Sequence, residues 1–194
     1  ENYSHPPMPE SQTTDIIKGM YLFKKDQQAS AQLFGSGAIL REVIEAGKIL
    51  KEIYGISCNI WSITSFNELR REGLQCERWN TLNPEENRRV PFVEKQLKNH
   101  VGPCIATTDY MTAYADQIRQ FIPPTNKYVT LGTDGYGRSD SRENLRRHFE
   151  IKKEYVVLST LTALKIEGKA DSSQISDVIS RFKIKPDKTD PTQV

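Results

Sequence analysis

The sequence is poor in the residues from which most active sites and covalent staples are built. It has three cysteines, three histidines and two tryptophans among 194 residues. Cys58, Cys76 and Cys104 are odd in number and share no metal-like spacing. That argues against a disulfide framework or a paired-cysteine zinc module, and the expectation is reduced thiols in a cytoplasmic protein. His5, His100 and His148 stand in unrelated contexts, with no H-E-x-x-H, G-x-S-x-G or Walker lysine to place them beside a metal, nucleophile or phosphate. A charge of one sign is missing too. With 27 basic against 25 acidic residues the net charge is +2, too small to argue for nucleic acid or an anionic membrane as partner. No run approaches the roughly 18 apolar residues that would span a bilayer, and no signal-peptide pattern opens the chain.

What is present suits a soluble globular unit with a single core, at 37% hydrophobic and 27% charged residues. The polar, proline-containing stretch 1–15 reads as a linker from a preceding domain. Residues 19–23 and 31–34 read as strands that form a hairpin across a polar turn. Ile39, Leu40, Val43, Ile44, Gly47, Leu50, Ile53 and Tyr54 recur at helical spacing, with Ser36 as the expected N-cap and Gly55 as the stop. Gly47 costs that helix about 1 kcal/mol, which close packing onto a sheet would offset. A strand follows at 57–63, so the run from residue 31 is a βαβ unit with a right-handed crossover.

Thr64 and Ser65 are expected to cap a helix from residue 66 that Gly73 breaks or bends. Pro84 is expected to open another helix, with His100 near its end, where a cation is favourable. A third parallel strand falls in 102–108, and Asp109 is the expected cap of a helix over 110–121. After a strand at 128–131 come helices over 141–149 and 152–167, a last helix capped by Asp171, and a polar tail from 184 to 194.

The stretch 128–149 concentrates the polar chemistry. A strand runs into glycines at 132, 135 and 137, then into Ser139-Asp140-Ser141 and a charged helix, with Arg138, Arg142 and Arg146 close by. Either this loop turns a corner and packs against another domain, or it holds a small anion. The candidate contact residues are Asp134, Arg138, Ser139, Asp140 and Arg142. An autonomous enzyme built on Asp134, Asp140 and His148 is the weakest alternative.

Several segments, in this order, resemble one family. Leu33-Phe-Gly-Ser-Gly-Ala-Ile-Leu40, the helix end at Tyr54-Gly55, and Trp61-Ser-Ile-Thr-Ser-Phe-Asn-Glu-Leu69 are similar to the start of the C-terminal domain of transketolase-like thiamine enzymes. The segment from Thr133 to Ile151 resembles a later motif of that domain. Cys76-Glu-Arg-Trp-Asn80, Arg89-Val-Pro91, Thr108-Asp-Tyr-Met111 and Leu131-Gly-Thr-Asp-Gly135 resemble the homodimeric pyruvate dehydrogenase branch. The resemblance runs from Ile16 to Asp190, with the domain expected over 16–183.

The resemblance implies a three-layer α/β/α fold on a mixed, mostly parallel five-stranded sheet. It also implies a parent oxidoreductase that uses thiamine diphosphate and magnesium to decarboxylate pyruvate and passes the acetyl group to lipoyl groups. The implied partners are the N-terminal and middle domains of the same enzyme, the second subunit of a homodimer, and a lipoyl-bearing acyltransferase core. In that family the diphosphate and magnesium sit on a G-D-G…N-N segment of the N-terminal domain, and the activating glutamate belongs to the middle domain. Neither occurs here, and Thr133-Asp-Gly135 has no Asn-Asn at the required separation. No catalytic, cofactor-binding or metal residue therefore carries over. The expectation is an assembly domain that is inactive by itself, or alternatively a free-standing anion-binding domain.

Overall fold

The alternation of apolar residues fixes which way each strand faces, and the pairing register carries that choice across the sheet. In a computed structural model, residues 7, 9 and 11–193 are described. Five strands, β1 (Met20–Lys24), β2 (Ala31–Ser36), β3 (Cys58–Ile63), β4 (Cys104–Thr107) and β5 (Tyr128–Leu131), form one sheet in the order β1-β3-β2-β4-β5. β1 runs antiparallel to β3, and the other three pairings are parallel. This is the mixed, mostly parallel α/β sheet that the resemblance implies.

Leu33 of β2 sits level with Ile60 of β3 and Ile105 of β4, and Phe34 sits level with Trp61 and Ala106. Because neighbouring side chains alternate between faces, the first row lines one core and the second row the other. The helices are α1 (Thr13–Ile17), α2 (Leu40–Tyr54), α3 (Phe66–Leu82), α4 (Phe92–Leu97), α5 (Thr112–Asp116), α6 (Arg142–His148), α7 (Lys153–Ile166) and α8 (Ser172–Arg181). Helices α2, α7 and α8 cover the Leu33 face through Val43, Leu50, Val157, Leu161 and Val178. Helices α3, α4 and α5 cover the Phe34 face through Phe66, Leu69, Val93, Leu97 and Ala115. α7 buries residues on nearly every side because α2 and α8 both pack against it. Full burial of each of these valine, leucine and phenylalanine side chains contributes about 1.5–3 kcal/mol.

Several local expectations hold at atomic detail. Gly55 ends α2 in the left-handed conformation at φ 68°. A Cβ on Gly47 would lie 3.1 Å from Ile60 Cδ1, so this glycine does let the helix approach the sheet. Ser65 Oγ accepts the Glu68 amide at 3.1 Å, and Asp171 forms a capping box with Gln174.

Others are corrected. β1 and β2 do not form a hairpin, because β3 lies between them: β3 is buried along its whole length and pairs on both edges. Gly73 does not break α3; the helix runs through it because Phe121 fills the space where a side chain would be. Pro84 opens a turn rather than a helix, and Asn80 fastens the segment by exchanging two hydrogen bonds with the Arg89 backbone at 2.8 and 2.9 Å. The 110–121 region is split into α5 and a 3-10 turn, Arg119–Phe121. The arm's His5 lies outside the described residues. α1 begins inside the stretch read as linker, and the 184–194 stretch contains a 3-10 turn, Pro191–Gln193.

Candidate functional site: a crevice at the carboxyl end of the sheet

The order β1-β3-β2-β4-β5 creates a switch point. From β2 the chain crosses to β3 on one side, and it returns to place β4 on the other. In open α/β sheets the crevice beyond the strand ends at such a point is the usual ligand site. Here it is bounded below by the ends of β2 and β4. Ser36 Oγ donates to Thr108 Oγ1 at 2.8 Å in a buried bond that ties the two strand ends together. Thr108 Oγ1 also accepts the Tyr110 amide at 3.2 Å. Ser36 therefore does not cap the following helix, as expected from sequence; its hydroxyl is committed across the switch point.

The roof is the glycine loop. Thr133 holds its base, with its amide donating to Tyr110 O at 2.8 Å and its hydroxyl to Asp109 O at 2.9 Å. Asp134 accepts from the Thr112 amide at 3.0 Å and from the Thr112 hydroxyl at 2.6 Å. The α5 N-terminus is thus capped by Asp134, twenty-two residues away, and not by Asp109. Gly135 adopts φ +104°, and a Cβ there would lie 2.3 Å from Pro191 O, so the 3-10 turn Pro191–Gln193 presses directly on the loop. A further cavity of about 440 Å³ lies between that turn and β5. Lys188 fastens the same segment by an ion pair with Glu150 at 2.9 Å. Apart from the prolines that stiffen the segment, no local pattern of residues signals this packing.

Between floor and roof lies a cavity of about 570 Å³, lined in part by Ile39, Asp109, Arg138, Arg142, Arg146 and Phe149. The three arginines and Asp109 stand around an apolar floor that includes Ile39 and Phe149. Arg146 is also bound to Glu42 of α2 at 3.2 Å, with both side chains largely buried. The other Glu42 oxygen accepts the Lys153 amide at 3.0 Å, so one carboxylate joins α2, α6 and the start of α7. Nothing in the sequence singled out Glu42; its partners are more than a hundred residues away.

The five sequence candidates fall into two groups. Asp134 is satisfied inside the domain. Arg138, Ser139, Asp140 and Arg142 are exposed along the loop and the first turn of α6. Asp140 accepts from the Ser141 amide at 2.6 Å and from Asn144 Nδ2 at 2.9 Å, and the Asn144 bond leads in holding its carboxyl below the usual range. Ser141 caps α6 through the Asn144 amide at 3.3 Å. Beside them Tyr136 is 79% exposed, and Tyr110 and Met111 are each 57% exposed. His148 packs edge-on against Phe149 with ring centres 4.8 Å apart. Burial, followed by the charges of Lys188 and Arg138, pushes its pKa down.

Asp134 commits both carboxylate oxygens to Thr112, so Thr133-Asp-Gly135 does not fit a magnesium diphosphate cradle. Among the described residues no group of three or more His, Cys, Asp or Glu side chains could hold a metal ion. None of the described helices is long and apolar enough to cross a membrane.

An open α/β sheet with one antiparallel edge strand, closed over its switch point by a glycine loop, defines the class. Residues 19–152 match the transketolase-like TK C-terminal domain, and the chain belongs to that family. Among curated proteins it is 48% identical over 194 residues to the pyruvate dehydrogenase E1 component of Pseudomonas aeruginosa, covering 98% of this chain and 22% of that protein. It is 46% identical over 193 residues to the pyruvate dehydrogenase E1 component of Escherichia coli, covering 98% of this chain and 21% of that protein. The chain thus spans about a fifth of the length of the curated relatives it matches. Among solved structures, a mutant transketolase of Pichia stipitis superposes with a TM-score of 0.54 at 14% identity, over 81% of this chain and 20% of that one. The transketolase of Campylobacter jejuni gives 0.50 at 17% identity, over 82% and 20%.

Proposed function

We propose that this chain is the C-terminal assembly domain of a pyruvate dehydrogenase of the homodimeric, acetyl-transferring type. The observation that carries this reading is the 48% identity to a pyruvate dehydrogenase E1 component along nearly the whole chain. The parent is a cytoplasmic oxidoreductase that decarboxylates pyruvate with thiamine diphosphate and magnesium and passes the acetyl group to lipoyl groups on an acyltransferase core. The domain covers 16–183, after a linker over 1–15 and before a tail over 184–194. It holds neither cofactor and does not turn over pyruvate by itself; the committed carboxylate of Asp134 supports that.

Its work is done at the roof of the crevice. Arg138, Ser139, Asp140 and Arg142 hydrogen-bond to the preceding domains or to the second subunit, and Asp134 holds the loop in the shape that presents them. The exposed Tyr136, Tyr110 and Met111 beside them support an interface, since large apolar side chains grouped on a surface mark contact sites. The test is the double substitution R138A/R142A in the full-length protein. Weakened dimer assembly and reduced pyruvate turnover are expected; unchanged mass and activity would contradict the reading.

A second reading rests on the guanidinium donors and apolar side chains that together line the 570 Å³ cavity, which suit a small anion with an apolar body. Calorimetric titration with inorganic phosphate and with pyruvate separates it from the first: saturable binding abolished by R138A supports it, and no heat with either probe contradicts it.

A further inference from the structure

At the opposite, amino end of the parallel strands, three buried side chains, Trp61, Gln32 and Asn59, lead to the half-buried His100 in a hydrogen-bonded chain whose orientation has only one consistent solution. It begins at Trp61, 1% exposed, whose indole nitrogen can only donate. That N–H lies 3.0 Å from Gln32 Oε1, which fixes the oxygen of a fully buried amide. Gln32 Nε2 then donates to Val101 O at 2.9 Å. Asn59, 2% exposed, approaches the same Gln32 oxygen at 3.0 Å, so the atom facing it must be the amide nitrogen. A second anchor agrees: the Asp26 amide donates to Asn59 Oδ1 at 2.8 Å. The remaining N–H of Asn59 points at His100 Nδ1, 2.9 Å away. His100 Nδ1 must accept, so its proton sits on Nε2.

We propose that His100 is an acid-sensitive latch: as a neutral Nε2–H imidazole it closes this chain, and a proton taken up on Nδ1 opens it. Protonation sets two donors face to face. Asn59 cannot relieve the clash by turning over, because its oxygen would then meet Gln32 Oε1 and its nitrogen the Asp26 amide. The latch joins β2 through Gln32, β3 through Asn59 and Trp61, the turn before β2 through Asp26, and the entry to β4 through Val101. Asn126 fixes the His100 backbone by donating to its carbonyl at 2.9 Å. The Trp61 ring meets the imidazole edge-on at 5.1 Å. From the turn between β1 and β2 the charge facing the ring is that of Lys25, which opposes a second cation. The neighbouring Asp26 carboxylate is held by Lys51 at 2.7 Å.

Burial, then Lys25, lowers the pKa of His100 in the folded chain. The unfolded chain therefore takes up the proton first. The stabilisation is complete above the ordinary histidine value near 6.5 and is lost as pH falls from there towards the lower folded value, by at most about tenfold in the folding equilibrium per pH unit. His148, whose pKa is also lowered, serves as control.

The test uses the 194-residue chain. Long-range proton–nitrogen NMR of the unaltered protein reads the tautomer directly, and the Nε2–H pattern at pH 7.5 is expected. Urea unfolding at pH 7.5 and 5.5 is then compared with H100N, whose amide oxygen can accept from Asn59 but does not titrate, and with H148N. The midpoint is expected to fall less on acidification in H100N than in the parent, and H148N is expected to retain the His100 step. An Nδ1–H pattern, or a cationic His100 at pH 7.5, would overturn the proposal even if H100N failed to fold. So would an H100N midpoint that falls as far as the parent's.

Discussion

Replacing Gly73 by alanine sets two effects of known size against each other. Gly73 lies in the middle of α3 and is buried. In an open helix the change would add about 1 kcal/mol of stability through propensity alone. Here the new Cβ would lie 2.5 Å from Cε2 and Cζ of Phe121 and 2.7 Å from Cε1. Carbon atoms pack best at about 3.5–4.0 Å, so ring and helix must part by about 1 Å. Phe121 is 3% exposed and shares its core with the fully buried Leu69 and Ile118. The ring has little room to swing, and overpacking of this kind costs about 1–3 kcal/mol. With the ring held in place the clash offsets or exceeds the propensity gain, and we expect a net loss of up to about 2 kcal/mol. At this chain length that lowers Tm by up to about 8 °C. Thermal and urea unfolding of G73A, F121L and the double variant form the assay. In the F121L background the alanine should be neutral or stabilising. A stabilised G73A single variant, or the same effect in both backgrounds, would refute the steric argument.

Asp134→Ala removes both acceptors of Thr112 and should cost about 1–2 kcal/mol, the upper range for a lost helix cap; amide exchange across 132–137 should quicken, and unchanged exchange there would count against its role in holding the loop. Tyr54 donates to Asp177 at 2.7 Å across the α2–α8 contact, and burial followed by that bond pushes its pKa up to about 12. The folded chain keeps this proton longer than the unfolded one, so the contribution is intact below about pH 10 and is lost as pH rises towards 12. Phenolate absorbance should show a component near 12 that Y54F removes. Burial raises the thiol pKa to about 12 at Cys58 and about 11 at Cys76, and raises that of Cys104 as well. A disulfide reagent at pH 8 should leave all three thiols of the native chain untouched and reach them after unfolding; rapid labelling of the native protein would contradict their burial.

The sheet was legible wherever a signal was local. The period of α2, the glycine after it, the serine before α3 and the capping box at Asp171 are all written within a few residues of the structure they make. The order of strands was not, because a buried strand such as β3 reads the same whether it sits at an edge or between two partners. The hairpin expectation failed there. The glycine loop was found from its residues, but what holds it was not. Asp134 reaches back to Thr112, and the Pro191–Gln193 turn reaches forward over Gly135. Glu42 meets α6 and α7 across more than a hundred residues. Such contacts have no period and no fixed spacing, so a single sequence does not carry them. Gly73 shows the same limit from the other side: a residue that breaks isolated helices was kept by a phenylalanine elsewhere in the chain.

Hydrogen–deuterium exchange across 132–142, compared between this chain and the full-length protein, tests the central claim most directly. If the loop is where this domain meets the rest of its enzyme, its amides exchange readily in the 194-residue chain and become protected in the assembled protein, with R138A/R142A reducing that protection. Equal exchange in the two proteins would show that the loop faces solvent in both and would contradict the account.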